Sequence, residues 1–411
     1  MKKLLAQYWK AILKIGYDQS LPGLERNRTM FLNGLTVATC ISTFLFFIAY
    51  AIMSIPSGMM VQRYREKISM VVAWAVAASG AILFALYPSF PVFLISLFLI
   101  GSGMAILQVA INPLLRVSGG EKHFAFLSVF AQLIFGSASY LSPMVYSYLV
   151  SNLKDPGNTS GLILSALSKI TPVNLPWVSL YWIFAVVSLS MVVIIVASRF
   201  PKVERKEDEI VGAWETHVKL FKNRTIWLFF FGIFAYVGTE QGIANWISEF
   251  LRTYHGLTPE IEGAHAVGWF WGMLTIGCIL GLFLLRILDS KIVLRMFTIA
   301  AIIVLIITLF GNTQMAVIGF PALGFCLSVM WSVVFSLALN SIPKFHGTFS
   351  GILCTGIAGG AIVPLIIGQL KDMVGLRTGM LILFLTLGYI LSISFWAKPL
   401  VANETIRNKE K

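Results

Sequence analysis

The chain is 411 residues long, 57% hydrophobic and only 12% charged, with a mean hydropathy of +0.83. No water-soluble domain of this size could cover its surface with so few charges, so the surroundings of its core are those of a membrane interior. The formal net charge of +13 does not point to nucleic acid, because the basic residues sit in short loops between apolar runs and form no basic patch with interleaved aromatics.

A bilayer core takes about 20 apolar residues per helix. Taken in chain order, spans are predicted at roughly 34–60, 68–87, 91–115, 124–151, 177–198, 225–250, 264–286, 291–311, 315–341, 347–370 and 378–397. They fall into a group of five and a group of six around one charged segment, Arg199 to Arg224. The expected fold is an all-α membrane protein of two helical bundles. Its units are a polar, basic N-terminal segment over 1–33, a first bundle over 34–198, a linker over 199–224, a second bundle over 225–398 and a tail over 399–411. Within the linker, Trp214 to Lys219 reads as a short amphipathic helix lying along the membrane face. Met1 to Gly16 lacks the long apolar region and small-residue cleavage site of a secretory leader.

Charge sets the orientation. With the C-terminus and linker on the cytoplasmic side, the loops on that side hold 20 of the 31 Lys and Arg, and the opposite loops hold only Lys154, Lys169, Arg252, Lys371 and Arg377. This bias follows the positive-inside rule. The remaining basic residues, Lys2, Lys3, Lys10, Lys14, Arg26 and Arg28, precede the first span, and with eleven spans they would lie outside, against the rule. An internal repeat points to the same place. Gly58 is followed five residues later by Arg63, and Gly281 by Arg286, each where a span runs into a basic loop. Two spans precede Gly281 in the second half but only one precedes Gly58 in the first. A twelfth helix is therefore expected near residues 1–33, where Leu4 to Ile15 begins apolar and the polar run Gly16 to Arg28 then cannot span.

Two repeated halves, a central basic loop and a Gly-x4-Arg turn after the second helix of each half resemble the major facilitator superfamily. Within it, the chain is similar to the fucose/glucose/galactose:proton symporter family over roughly residues 44–397. Three segments carry this likeness: Leu107 to Pro113 (LQVAINP), Tyr236 to Glu240 (YVGTE), and Phe335 to Leu337 followed by the Gly-rich Gly356 to Gly360 and Pro364. The resemblance implies alternating access, with two halves rocking around a site near the midplane. It also implies that proton symporters of the family use a carboxylate on the first helix, often with another in the fourth-helix motif. Here Gln108 stands where that motif carries Glu, and a first-helix carboxylate is not in evidence. Phe135 stands where the family has Asn three residues after the Gln at 132, which leaves the preferred sugar open.

Among the acidic residues, Glu240 lies well inside a span and Glu249 near the outer end of the same one. A carboxyl in lipid surroundings is retained only where it meets a polar cavity or a partner. Glu240 is accordingly the proton-coupling candidate, with a purely structural hydrogen-bonded carboxyl as the competing reading. Gln241 and Asn245 share a helical face, with Glu240 on its shoulder. In the first half, Gln108 and Asn112 share a face and Gln132 lies in the next span. Amides donate and accept at once, which suits an uncharged polyol. Gln108, Asn112, Gln132, Gln241 and Asn245 are therefore substrate-binding candidates, against the alternative of hydrogen bonds between helices; for Asn112, beside Pro113, that alternative leads. Trp269, Trp271 and Trp331 offer aromatic faces for a sugar ring, with Trp269 the chosen candidate and an interfacial anchor the alternative. Asn340 at the end of its span reads as a helix cap. The glycines Gly277, Gly281, Gly356, Gly359 and Gly360 read as packing or hinge positions.

The cysteines Cys40, Cys278, Cys326 and Cys354 form no CxxC pair and have no nearby His, so neither a disulfide framework, a metal site nor a cofactor is expected. No catalytic residue is expected either, since a membrane enzyme needs clustered His, Asp or Ser at one interface and the sequence has no such cluster. The expected function is secondary active transport of a neutral monosaccharide such as glucose, galactose or fucose, coupled to protons, by a monomer in a bacterial inner membrane. The alternatives are a transport-incompetent remnant short of one helix, or a carrier for another small polar solute.

Overall fold

The computed structural model describes residues 23–153, 161–172, 174–200, 218 and 220–406. The expectations for residues 1–22 and for the amphipathic piece of the linker lie outside these residues. The first helix, α1 (Gly23–Leu86), is broken at Arg65, whose φ of 68° is left-handed. Its 40-residue apolar part, Phe47–Leu86, would reach about 60 Å as one rod at about 1.5 Å per residue, twice the roughly 30 Å hydrocarbon thickness. The Arg65 turn folds it into two crossings. The charged run Arg63 to Lys67 explains the turn, because no apolar face continues through it. Lys67 Nζ fixes it by donating to the carbonyls of Val196 and Ser198 at 2.8 and 2.9 Å. The described residues are helical from Gly23 on, so helix already covers residues 23–33 of the segment expected to be polar and non-spanning.

The first half continues with α2 (Phe90–Gly119), α3 (Phe124–Leu153), the short α4 (Leu162–Ile170) and α5 (Ser179–Ala197). The second half holds α6 (Arg224–Ala244), the short α7 (Ile247–His255), α8 (Ala264–Ile287), α9 (Ser290–Phe310), α10 (Thr313–Leu327), α11 (Met330–Leu339), α12 (His346–Thr355), α13 (Gly359–Val374), α14 (Leu376–Met380) and α15 (Ile382–Trp396). Ten helical stretches among the described residues are long and apolar enough to cross a membrane. With the first folded at Arg65, they make the five and six crossings expected from the sequence. The protein is an integral membrane protein.

Several crossings of the second half are interrupted. α6 ends at Asn245, α10 and α11 meet at Ser328 and Val329, and α12 and α13 are joined by a 3-10 turn at Gly356–Ala358. Interrupted backbone survives at membrane depth only where protein or a cavity covers it. Glycine supplies the cover at the last break: a Cβ on Gly356 would lie 2.9 Å from the Phe230 carbonyl of α6.

The halves meet through α1 with α12 and through α3 with α8, two pairings related by the internal repeat. Gly58 of α1 lies over Gly347 and Gly351 of α12. A Cβ at Gly58 would come 3.2 Å from the Gly347 carbonyl and 3.3 Å from the Gly351 Cα. Gly281 of α8 holds the corresponding place, against Val329 and facing Val129 of α3 at 3.6 Å. The repeated glycines thus mark points of close helix approach. Cys278, Cys326 and Cys354 are buried and unbridged.

A Cβ on Gly351 would lie 2.6 Å from the Ser54 carbonyl and 3.0 Å from the Gly58 Cα, so Gly351→Leu should pry α1 from α12. N-ethylmaleimide labelling of Cys354, with the other cysteines changed to Ser, should accelerate severalfold. Labelling at the native rate would contradict this account of the contact.

Candidate functional site

Between the halves lies a cavity of about 290 Å³, lined by α1, α2 and α3 on one side and by α6, α11 and the α12–α13 turn on the other. That volume is near the lower edge of small-ligand sites, about 300–1,000 Å³. Each element contributes for a local reason. α2 presents Gln108 and Asn112 one turn apart; α3 presents Ser128 and Gln132; α6 presents Tyr236, Glu240 and Gln241. Trp331 enters just after the break that opens α11, and Ile357 sits in the 3-10 turn. Phe47 and Tyr50 of α1 complete an aromatic wall.

Glu240 has both carboxylate oxygens engaged by its own helix. Tyr236 Oη donates to Oε2 at 2.5 Å and Gln241 Nε2 donates to Oε1 at 3.2 Å. Tyr236 is itself buried and rests against Trp331, ring centroids 6.1 Å apart. Asn112 Nδ2 donates to the Gln108 carbonyl at 2.7 Å, which ties that amide to its own helix. The side-chain amides of Gln108 and Gln132 make no hydrogen bond among the described residues. They face the cavity with full donor and acceptor capacity.

The structure therefore gathers Gln108, Asn112, Gln132, Glu240 and Gln241 around one space. It does not bring Asn245 or Trp269 there. Asn245, the exposed residue just after α6, sits one turn beyond Gln241, its N–H donating to the Gln241 carbonyl at 3.0 Å, and lies outside the cavity lining. Trp269 is 60% exposed on α8 and is not among the residues that line the cavity. Trp331 is the tryptophan that lines it. Glu249 lies beyond the break, on α7, and bonds Arg252 and Lys371 at 2.9 Å. Partial burial pushes its carboxyl up, but the hydrogen bonds and charges of Arg252 and Lys371 outweigh this and hold it below the usual carboxylate range. Tyr50, Phe47 and Tyr236 were not among the sequence candidates. For Tyr236, the spacing of four to Glu240 on one helix was the available signal.

One end of the cavity is closed on the side of the membrane that bears the linker. There, among the described residues, the halves are tied by polar contacts. Thr348 bonds Gln62, and Ser350 Oγ donates to the Val109 carbonyl at 3.0 Å. Asn340, expected only to cap a helix, is a hub: its Oδ1 accepts from Arg116 Nε at 2.9 Å, and its Nδ2 donates to the carbonyls of Glu121 at 3.1 Å and Val401 at 3.4 Å. The C-terminal segment joins in. Leu400 N donates to the Asn340 carbonyl at 2.7 Å and Glu404 N to the Lys122 carbonyl at 3.0 Å, while buried Asn403 Oδ1 accepts from Ser290 N at 2.9 Å.

Two membrane bundles enclosing an amide-lined cavity, tied together at one end, define a membrane carrier of the two-half type. The chain belongs to the Major Facilitator Superfamily, whose profile matches residues 30–364. A glucose/galactose transporter of Brucella abortus is 32% identical over 84% of this chain and 82% of its own length. An L-fucose-proton symporter of Escherichia coli is 24% identical over 80% of this chain and 78% of its own. In three dimensions, the solved transporter FucP in the outward conformation matches with a TM-score of 0.76 at 22% identity, covering 96% of this chain and 95% of that one. The last likeness shows the shared fold.

Asn340→Ala removes the side-chain bonds that join the halves and leaves Arg116 short of a buried partner. Each neutral bond contributes about 1 kcal/mol and an orphaned charged donor costs more, so the thermal midpoint in detergent should fall by several degrees. An unchanged midpoint would contradict the role of Asn340 as a tie.

Proposed function

We propose that this chain carries a neutral monosaccharide such as glucose, galactose or fucose across the membrane by alternating access, coupled to protons. The observation that carries this reading is the pair of unbonded amides, Gln108 and Gln132, facing a cavity that also holds a single carboxyl, Glu240. Unpaired amides suit a ring of hydroxyls, because each can donate and accept to the same substrate. Trp331 supplies a flat apolar face of the kind that packs on a sugar ring. Gln241 stands at the same wall and would exchange its bond to Glu240 for one to a substrate hydroxyl. Asn112 holds the α2 wall in register and is a secondary ligand.

Glu240 is the coupling residue in this reading. Tyr236 and Gln241 satisfy it as a carboxylate, and a proton taken up with the substrate would free those donors. Relatives described as a glucose/galactose transporter and an L-fucose-proton symporter support both halves of the proposal. The ties on the linker side correspond to a carrier closed on that side. The charge bias of the loops puts that side and the C-terminus in the cytoplasm. The bacterial relatives support a bacterial inner membrane. Both halves of the cavity come from one chain, so a monomer suffices.

In proteoliposomes, an inward pH gradient should drive accumulation of at least one radiolabelled sugar among glucose, galactose and fucose. Glu240→Gln should abolish that accumulation while sparing counterflow exchange. If no sugar enters above empty vesicles the substrate assignment fails; if the variant still accumulates sugar the coupling assignment fails. Gln132→Leu should weaken sugar affinity by about tenfold, the worth of one good hydrogen bond left unmade. Trp269→Ala should leave affinity within about twofold, and the reverse ranking of the two variants would sink the placement of the site.

A further inference from the structure

The cavity makes no use of the buried cluster on the linker side. Arg116, only 5% exposed, spreads its guanidinium over three partners: Nε to Asn340 at 2.9 Å, Nη1 to His346 Nε2 at 2.9 Å, and Nη2 to Glu121 Oε1 at 2.8 Å. A guanidinium only donates, so His346 Nε2 is the acceptor and carries no proton. The ring is neutral and holds its hydrogen on Nδ1, which is buried without a partner. A second proton would have to sit on Nε2, facing an N–H of a permanent cation with no lone pair between them. Other charged groups on the packed elements are Arg63, Arg65, Glu66 and Lys67 at the α1 turn, Lys344 ahead of α12, and the His123–Glu404 pair at the tail. Lys67 is spent on the Val196 and Ser198 carbonyls, Glu121 on Arg116, and Glu66 and Lys344 have partners of their own.

We infer that His346 is a second proton-binding site, empty while the halves are closed on the linker side and filled when they part. Arg116 belongs to the first half and His346 to the second, so any opening on that side separates them and exposes Nε2 to water. Protons on that side then favour the open form, because they bind it and not the closed one. An unhindered imidazole titrates near about pH 6.5, so the ratio of open to closed rises by about tenfold for each pH unit below that value. In a carrier that delivers protons to that side, this acts as a brake: acid there holds the gate open and slows the return step. The inference rests on the alternating-access part of the proposed function and does not depend on the sugar or on Glu240.

The test uses the full chain in lipid nanodiscs, with spin labels at Ser118→Cys and Ile287→Cys, both exposed on opposite halves, and the native cysteines changed to Ser. Electron paramagnetic resonance at about pH 8 should show one short distance, and at about pH 5 a several-fold gain in a longer one. His346→Gln keeps an acceptor for Arg116 but cannot titrate, so its distances should stay short at both values. Arg116→Gln, a second variant, removes the opposing cation and should shrink the pH response. Native distances that ignore pH would overturn the inference, as would a response that survives His346→Gln. Failure of sugar accumulation with this response intact would remove the substrate assignment alone.

Discussion

Hydrocarbon gives an amide or a carboxyl no partner, so polar side chains at membrane depth persist only where they meet each other or an enclosed wet space. Gln108, Gln132 and Glu240 lie on three helices from two halves, and one cavity serves all of them. That cavity exists because the halves come into contact beside it. Gly58, Gly347 and Gly351 let α1 and α12 approach to backbone contact, which brings the walls to the spacing of a small solute. Larger residues there would leave the amides in a gap too wide to hold one ring.

The same contact explains where the backbone departs from regular helix. The breaks at Ser328 and Gly356–Ala358 sit beside the cavity, and Trp331 and Ile357 reach it from them. Among the described residues, two non-glycine residues with positive φ, Arg65 and Phe345, lie at turns on the linker side. Such conformations cost about 1–3 kcal/mol each, and the packing of α1 against α12 holds both in place. Phe345 directly precedes His346, so its turn also aims the imidazole at Arg116. Strain, tie and titratable ring therefore occupy one small region at the closed end of the carrier.

Much of this was legible in the sequence, for reasons that differ by residue. The crossings follow from length and hydropathy, which lipid enforces strictly. Glu240, Gln108 and Gln132 were legible because a polar residue inside an apolar run needs an explanation. Asn245 and Trp269 lie outside the cavity lining, because a helical wheel gives a face but neither how far along the helix a cavity reaches nor how the helix is turned. The rotation of α8 is set by packing against α3 and α10, which no periodicity reveals. Asn340 looked like a cap because its partners, Arg116 and the Glu121 carbonyl, come from more than 200 residues away in the chain, at separations of 224 and 219. The docking of Leu400 to Thr405 was invisible for the same reason: a polar segment after the last span reads as a tail until its partners are known.

The most direct measurement of the central claim is an experimental structure of the carrier with its transported sugar bound. The account predicts ring density between the two halves, within hydrogen-bond reach of Gln108 and Gln132, with Trp331 against one face and Glu240 at the wall. Density for the sugar elsewhere, or Gln108 and Gln132 turned into dry contacts between helices, would contradict it.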